Sequence, residues 1–362
     1  RDTMKNEKLQ ISLTGLVIGV IASLLVLLGN PTNMGYCIAC FLRDTAGGLG
    51  MHSAAVVQYV RPEIIGLVLG SFLLAMYRKE FNPRGGSSPI TRFVLGFFVM
   101  IGALMFLGCP FRTVLRLAGG DLNAIFGLLG FVCGILAGVV FLKKGYTLRR
   151  THAQSLVEGG IFPMAQVALL VLIVVFPAVL TFSQKGPGSQ HAPLLISLAS
   201  GLIVGALAQR TRLCMVGGVR DAVLFREWKL LIGYVCVFIG ALVCNLILTA
   251  VVPDKSFFKL GFAEQPIAHT DGLWNFLGMA LAGIASVLLG GCPLRQLVMA
   301  GEGNSDSAVT VVGLMVGAAF AHNFGLAASG AGPTAHGKIA VIVGIVVVAI
   351  IGTLNTFGKK GE

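Results

Sequence analysis

The chain has 362 residues, of which 56% are hydrophobic and 12% charged, with a mean hydropathy of +0.87. A soluble domain carries roughly 25% charged residues, so this composition excludes a water-covered globule and points to an all-α polytopic membrane protein. The net charge of +12 would suggest a nucleic-acid partner on a soluble protein. No aromatic-plus-basic stripe accompanies it here, so no nucleic acid is expected. The excess sits mostly in linkers, where it orients spans and attracts anions.

In chain order, a polar tail (1–8) precedes the first apolar run. Hydropathy predicts about ten spans, near 9–29, 62–77, 92–108, 121–143, 162–182, 194–208, 229–252, 272–291, 307–328 and 338–356. Four stretches between them, 36–60, 109–120, 211–228 and 292–304, are too apolar for ordinary loops. They read as re-entrant or broken helices, which are tolerated only where protein or a cavity surrounds them. The most basic linkers are "YRKEFNPRGGSSPITR" (77–92) and "KKGYTLRRTH" (143–152). The positive-inside rule places both in the cytoplasm, with Arg226, Lys229 and the terminal "FGKKGE", and so predicts cytoplasmic termini. Linkers such as "SQKGPGSQHAP" (183–193) and "GAGPTAHG" (330–337) are poor in Lys and Arg and fall outside.

The chain repeats itself. "YCIACFLRD" (36–44) and "LCMVGGVRD" (213–221) each place a cysteine six residues before an Arg-Asp pair, so Cys37 matches Cys214, Arg43 matches Arg220 and Asp44 matches Asp221. "FLGCPFR" (106–112) and "LLGGCPLR" (288–295) follow at similar distances, and each leads to a glycine-rich acidic turn, "LAGGD" (117–121) and "MAGEG" (299–303). An internal duplication explains this order. Five spans per half turn the second copy upside down, which predicts two inverted-topology repeats, 9–182 and 194–356, joined by a linker at 183–193 and followed by a tail at 357–362.

Proline loses nothing at the first position of a helix, so Pro110 and Pro293 are expected to start short helices with Cys109 and Cys292 at their N-caps. Gly108 and Gly291 are expected to let the chain bend sharply and a ligand come close. A helix N-terminus carries unpaired N–H groups and about half a positive charge, which makes it an anion site. Arg112 and Arg295 add full charges. A serine would serve a hard oxyanion as well or better, whereas a thiol is soft and polarisable, which favours an anion that carries sulfur or selenium. Packing is the plainer reading of one such motif; two copies in matching places favour a site.

Arg43 and Arg220, with Asp44 and Asp221, read either as ion pairs at broken-helix ends or as substrate-entrance groups. Arg210 and Arg212 could line a basic cytoplasmic mouth or simply snorkel. His322 lies within a span and is a candidate pore-lining or proton-linked group, with Asn123 the comparable polar residue in the first half; a satisfied structural His is the plainer reading. Cys133, Cys236 and Cys244 read as packing. Cys37 and Cys40 have C-x-x-C spacing, but no second pair completes a zinc site. No metal and no cofactor are expected.

The paired Gly-Cys-Pro-Phe/Leu-Arg and Cys-x5-Arg-Asp motifs resemble the YeeE/YedE family of bacterial membrane proteins, and their form resembles most the branch described as selenium transporters. The resemblance covers about residues 9–356. It implies an inverted-repeat helical fold in the inner membrane and, from characterised relatives, thiosulfate uptake with cysteines passing the ion through weak S–H···S contacts. By motif that role falls on Cys109, Cys214 and Cys292, and also on Cys37. Cys40 departs from the pattern. The expected function is therefore a permease for a small sulfur or selenium anion, with Cys37, Cys109, Cys214, Cys292, Gly108, Gly291, Pro110, Pro293, Arg112, Arg295, Arg43 and Arg220 around the substrate. A soluble cytoplasmic sulfur carrier is a candidate partner. The alternatives are a membrane sulfurtransferase or thiol oxidoreductase with Cys37, Cys40 or Cys109 as nucleophile, and a passive anion channel.

Overall fold

Each predicted span forms a helix, and each semi-polar stretch contains a shorter one, in the computed structural model, which describes residues 2–253 and 255–357. The first seven helices are α1 (Asp2–Leu27), α2 (Ile38–Gly48), α3 (Pro62–Tyr77), α4 (Pro89–Phe106), α5 (Pro110–Ala118), α6 (Asn123–Lys143) and α7 (Leu156–Val175). The next seven are α8 (Leu194–Thr211), α9 (Met215–Phe225), α10 (Lys229–Val251), α11 (Gly272–Leu289), α12 (Pro293–Gly301), α13 (Ser305–Asn323) and α14 (Ala335–Phe357). Among the described residues, nine helical runs are long and apolar enough to cross a bilayer, and α3, with 16 residues, is a shorter apolar helix. The chain is an all-α, multi-pass membrane protein. Large apolar side chains such as Leu129, Val140, Ile247 and Ile342 are exposed on outer faces, as bilayer-facing positions require.

Several boundaries moved by five to seven residues. The span predicted at 162–182 is α7, Leu156–Val175. The Ser155 hydroxyl accepts from the Glu158 N–H while the Glu158 carboxylate accepts from the Ser155 N–H, a capping box that starts the helix early. Pro177 then opens a 3-10 turn, Pro177–Val179, beyond its end. α1 likewise begins at Asp2, ahead of the apolar run.

The principal helix pairs are α1 with α10, α3 with α8, α4 with α13 and α6 with α11. Every one joins the first half of the chain to the second, so neither half has a core of its own. Small residues allow this closeness. "GLVLG" on α3 faces "GLIVG" on α8, and a Cβ added to Gly66 would stand 2.8 Å from the Gly201 Cα. In lipid, where apolar burial gives helices little reason to associate, such backbone proximity is a main source of attraction.

The two basic linkers share one face. Their strands β1 (Arg84–Gly85) and β2 (His152–Ala153) pair antiparallel, and the Ser87 hydroxyl donates to the Leu148 carbonyl at 2.6 Å. The start of α10 joins the start of α1 through Lys229 and Glu7, 2.9 Å apart. Lys144 lies over the Phe357 ring at the end of α14, 5.8 Å from its centroid. Both ends of the described chain therefore lie on this basic face. The opposite face carries the α2–α3 loop, where Met51 accepts from Asn323 at the end of α13, and the 177–193 segment.

Candidate functional site

Four short helices begin inside the bundle, and each begins on a cysteine. Cys37 caps α2, Cys109 caps α5, Cys214 caps α9 and Cys292 caps α12. α2 and α5 come from the opposite face: the last residue of α2, Gly48, accepts from Thr181, and Gly119 after α5 accepts from Lys259. α9 and α12 come from the basic face: α9 ends beside the Glu227–Lys229 ion pair, and Glu302 after α12 accepts from Asn82. The expectation for Pro110 and Pro293 holds, since each occupies the first helical turn with a cysteine at the N-cap. That Cys37 and Cys214 are N-caps too was not read from the sequence, because no proline follows them.

The sulfurs form two pairs. The Cys37 thiol points at the Cys109 sulfur at 3.9 Å. Cys214 and Cys292 are close neighbours, and the Tyr234 hydroxyl is 4.0 Å from the Cys292 sulfur. A file of rings joins the pairs: Tyr36 to Phe111, centroids 6.5 Å apart, and Phe111 to Tyr234, 6.0 Å apart. Cys37 and Cys214 also accept from the N–H groups of Cys40 and Gly217, at 3.4 and 3.3 Å. All four cysteines are buried, the most open being Cys214 at 5% exposure, so the described conformation is closed around them.

The glycines of the motif act differently from the expectation. The bend lies one residue earlier, at Leu107 (φ 62°) and Gly290 (φ 84°), which cap α4 and α11 in the left-handed region. Gly108 and Gly291 are not among the positive-φ residues. A Cβ on Gly108 would stand 2.9 Å from the Arg112 Cδ, and one on Gly291 3.1 Å from the Arg295 Cγ. The missing side chain makes room for the stem of the arginine four residues on, not for a ligand. Gly-Cys-Pro-x-Arg is thus one device: it breaks the helix, presents a thiol at the new N-terminus, and folds an arginine back beside the break.

The two arginines differ in their surroundings. Arg112 is fully buried and has no carboxylate within ion-pair distance among the described residues. Its guanidinium donates to the carbonyls of Asn33 (3.1 Å), Ile267 (3.3 Å) and Leu107, and its Nη1 is 3.8 Å from the Cys40 sulfur. Arg295 is partly exposed, grips both Glu302 carboxylate oxygens at 3.1 and 3.2 Å, and faces an open cavity.

Arg43 and Arg220 are both ion-paired to the following aspartate, at 2.7 Å. Asp44 is also paired to Arg61, again at 2.7 Å, and this triad is fully buried, whereas Arg220–Asp221 is partly open. Arg61 was missed; its only signal was a cation just before Pro62 in an otherwise apolar stretch. The Asn123 NH2 group donates to Phe262 and Asp121, while its Oδ1 is buried without a partner. His322 lies over His52, ring centroids 4.8 Å apart, and its Nε2 is buried without a partner. His52 accepts from the Ala54 N–H through Nδ1 and lies 3.0 Å from the Arg43 carbonyl through Nε2. Burial holds the His52 imidazole below its usual pKa, against the opposing pull of that carbonyl. Cys236 and Cys244 are half-buried, and Cys133 is exposed on α6, so it does not supply the packing expected of it.

The sequence profile of a family described as sulphur transport matches residues 1–109 and 210–356. The chain belongs to this family, which is that of the YeeE/YedE proteins. The two matched stretches contain all four N-cap cysteines, and the gap between them runs from α5 through most of α8. No curated protein matches the chain closely enough to count as a relative. Membership makes the protein a sulfur-related membrane transporter.

Proposed function

We propose that this chain is a permease for a small, soft sulfur- or selenium-containing anion, of which thiosulfate is the simplest example, in the bacterial cytoplasmic membrane. Its termini and basic face lie in the cytoplasm, following the charge of the linkers. The chain is read as two inverted repeats, 9–182 and 194–356. The pairing pattern supports this: exchanging the halves converts the α1–α10 contact into α8–α3, and α4–α13 into α11–α6. Under the same exchange the Cys37–Cys109 pair becomes Cys214–Cys292.

The observation that carries the reading is the meeting of four thiol-capped helix N-termini, from both faces, beside a buried arginine with no carboxylate. Each helix end contributes about half a positive charge. A buried cation is costly unless an anion compensates it; in Arg112 four carbonyls, those of Asn33, Leu107, Pro266 and Ile267, share that task, and a passing anion completes it. The charge attracts any small anion, and the thiols select. A hard oxyanion leaving water loses strong hydrogen bonds that S–H groups replace poorly, whereas an anion with a terminal sulfur or selenium meets groups of its own softness. Transfer runs from the Cys37–Cys109 pair past the Phe111 ring to the Cys214–Cys292 pair, each step exchanging one weak thiol contact for another without a covalent bond. On the cytoplasmic side a soluble sulfur carrier would take up the product.

The test is uptake of radiolabelled thiosulfate into proteoliposomes, with sulfate and selenite as competitors. Cys109→Ser and Cys292→Ser should each slow uptake by about tenfold or more, as loss of about 1.4 kcal/mol at a transfer step would, with the folded protein intact. Uptake rates that ignore both substitutions would remove the thiols from the mechanism. A sulfur adduct required for turnover would instead favour the enzyme.

A further inference from the structure

We propose a second anion site at the mouth on the basic face, built from guanidinium and ammonium groups instead of thiols, that binds small tetrahedral anions through their oxygen atoms. Lys79, Arg84, Arg212 and Arg295 line a cavity of about 470 Å³ together with Glu80, Glu302 and Gln209. Four cations thus face two carboxylates, and both carboxylates are already held. Glu80 accepts from Arg78 at 2.9 and 3.0 Å and from the Gln209 amide at 2.7 Å. These contacts, Arg78 first, keep its carboxyl below the usual range, so it stays charged. Glu302 is held by Arg295. Lys79, Arg84 and Arg212 have no carboxylate within ion-pair distance among the described residues. Three cations without an ion-pair partner, from the α3–α4 linker and the end of α8, therefore converge on this one cavity.

A polar atom of the same cavity wall is left for water rather than for the anion. Gln209 is 2% exposed, lines the cavity, and its Oε1 is buried without a hydrogen-bond partner. Its NH2 group is spent on Glu80, so the side chain is fixed with its remaining polar atom unshared, and such an atom calls for a donor such as a bound water. The Glu302 carboxylate, gripped through both oxygens by Arg295, shows what the arginine at the neck recognises: a planar or tetrahedral pair of oxygens. In the described conformation that carboxylate occupies Arg295, and an arriving oxyanion competes with it. Glu302 is therefore the positioning residue that sets how long an anion stays.

Arg295 belongs to the same five-residue break as Cys292, which places the oxygen-binding mouth directly after the thiol pair. The site stands on its own residues; only its role as the exit step rests on the permease reading. In that role the anion is handed from soft contacts to hard ones and then to water, and Glu302 retakes Arg295 behind it.

The probe is sulfate, which carries no soft atom. Binding of radiolabelled sulfate to the full-length chain in detergent is measured by equilibrium dialysis at constant ionic strength. Arg84→Ala and Arg212→Ala should each weaken binding by about threefold, the size of one half-exposed ion pair. Glu302→Gln should strengthen it by a similar factor, because Arg295 is released. Cys109→Ser and Cys292→Ser should leave it unchanged. Sulfate retention equal to that of an unrelated membrane protein, or binding that Glu302→Gln leaves alone or weakens in a monodisperse preparation, overturns the proposal. Lys79→Ala removes an exposed side chain, so its result reads binding independently of any folding defect in the others. Loss of sulfate binding with cysteine-dependent thiosulfate uptake intact refutes the mouth site alone. Cysteine-independent uptake with sulfate binding intact refutes the permease mechanism alone.

Discussion

Adding one methyl group at two equivalent positions should have unequal consequences, because the two halves hold their motif arginines differently. In Gly108→Ala the new Cβ would stand 2.9 Å from the Arg112 Cδ and 3.3 Å from its Cβ and Cγ. Arg112 cannot retreat, since its guanidinium is fully buried and tied to the carbonyls of Asn33, Leu107 and Ile267. Overpacking of this kind costs about 1–3 kcal/mol, and losing one charged hydrogen bond adds about 1.5–3 kcal/mol. In Gly291→Ala the Cβ meets the Arg295 Cγ at 3.1 Å, but that side chain reaches a cavity and pairs with Glu302 at its edge. It can swing outward for about 1 kcal/mol or less, and neither glycine is among the positive-φ residues, so alanine also gains about 0.4–1 kcal/mol by restricting the unfolded chain. Thermal unfolding of the purified variants, read alongside thiosulfate uptake, checks the contrast. Gly108→Ala should lose both stability and transport, while Gly291→Ala should stay near the parent protein in stability. Equal losses, or a stable Gly108→Ala, would refute the claim that the glycine exists to seat the arginine stem.

Asp44→Asn should destabilise the protein by about 3–5 kcal/mol, the cost of stranding buried charges, since it removes the partner of both Arg43 and Arg61; Asp221→Asn, in a partly open pair, should cost about 1 kcal/mol or less, and thermal unfolding separates the two. With 3.9 Å between the Cys37 and Cys109 sulfurs, diamide should join them, the two thiols giving up two protons and two electrons to the reagent; peptide mapping should find the cross-link, and a thiol reductant should restore uptake. Acid should weaken the protein through His52, whose pKa is lowered by burial: the unfolded chain takes up a proton below about pH 6.5 while the folded one resists it. Stability should thus fall as pH drops below that value and be insensitive to this group above it. His52→Gln should flatten the acid side of a plot of thermal midpoint against pH.

The spans were legible because hydropathy is a property of many residues at once, and the two Gly-Cys-Pro breaks because proline, glycine and cysteine each have a narrow backbone use. What escaped depended on tertiary placement. Arg61 and Tyr234 sit in apolar runs with nothing local to mark them; only folding brings Arg61 onto Asp44 and Tyr234 onto Cys292. The start of α7 escaped because a capping box outweighed the hydropathy of the residues before position 162. The role of Gly108 was misread for a related reason. Glycine two residues before a proline looks like a hinge, yet the left-handed residue is Leu107, a type with no preference for that region, so the sequence pointed one residue too far.

The choice of cysteine at four N-caps is itself informative. N-cap serine, threonine, aspartate and asparagine satisfy the free N–H groups of a helix, and replacing one by a poor cap costs typically about 1 kcal/mol. Sulfur is a weak acceptor, and its contacts here, 3.4 Å for Cys37 and 3.3 Å for Cys214, are long for an N–H···O bond. Cys109 and Cys292 make no capping bond at all. Four helix ends therefore forgo stability that a smaller and commoner residue would supply, although all four are buried away from compensating water. Stability alone gives no reason for this. A requirement that the chain present S–H groups and leave N–H groups of the helix ends unclaimed does, because those are the groups a soft anion would use. Serine at Cys37 or Cys214 should consequently preserve or raise stability while transport falls. A stability loss on the same scale as the transport loss would make these cysteines packing residues after all.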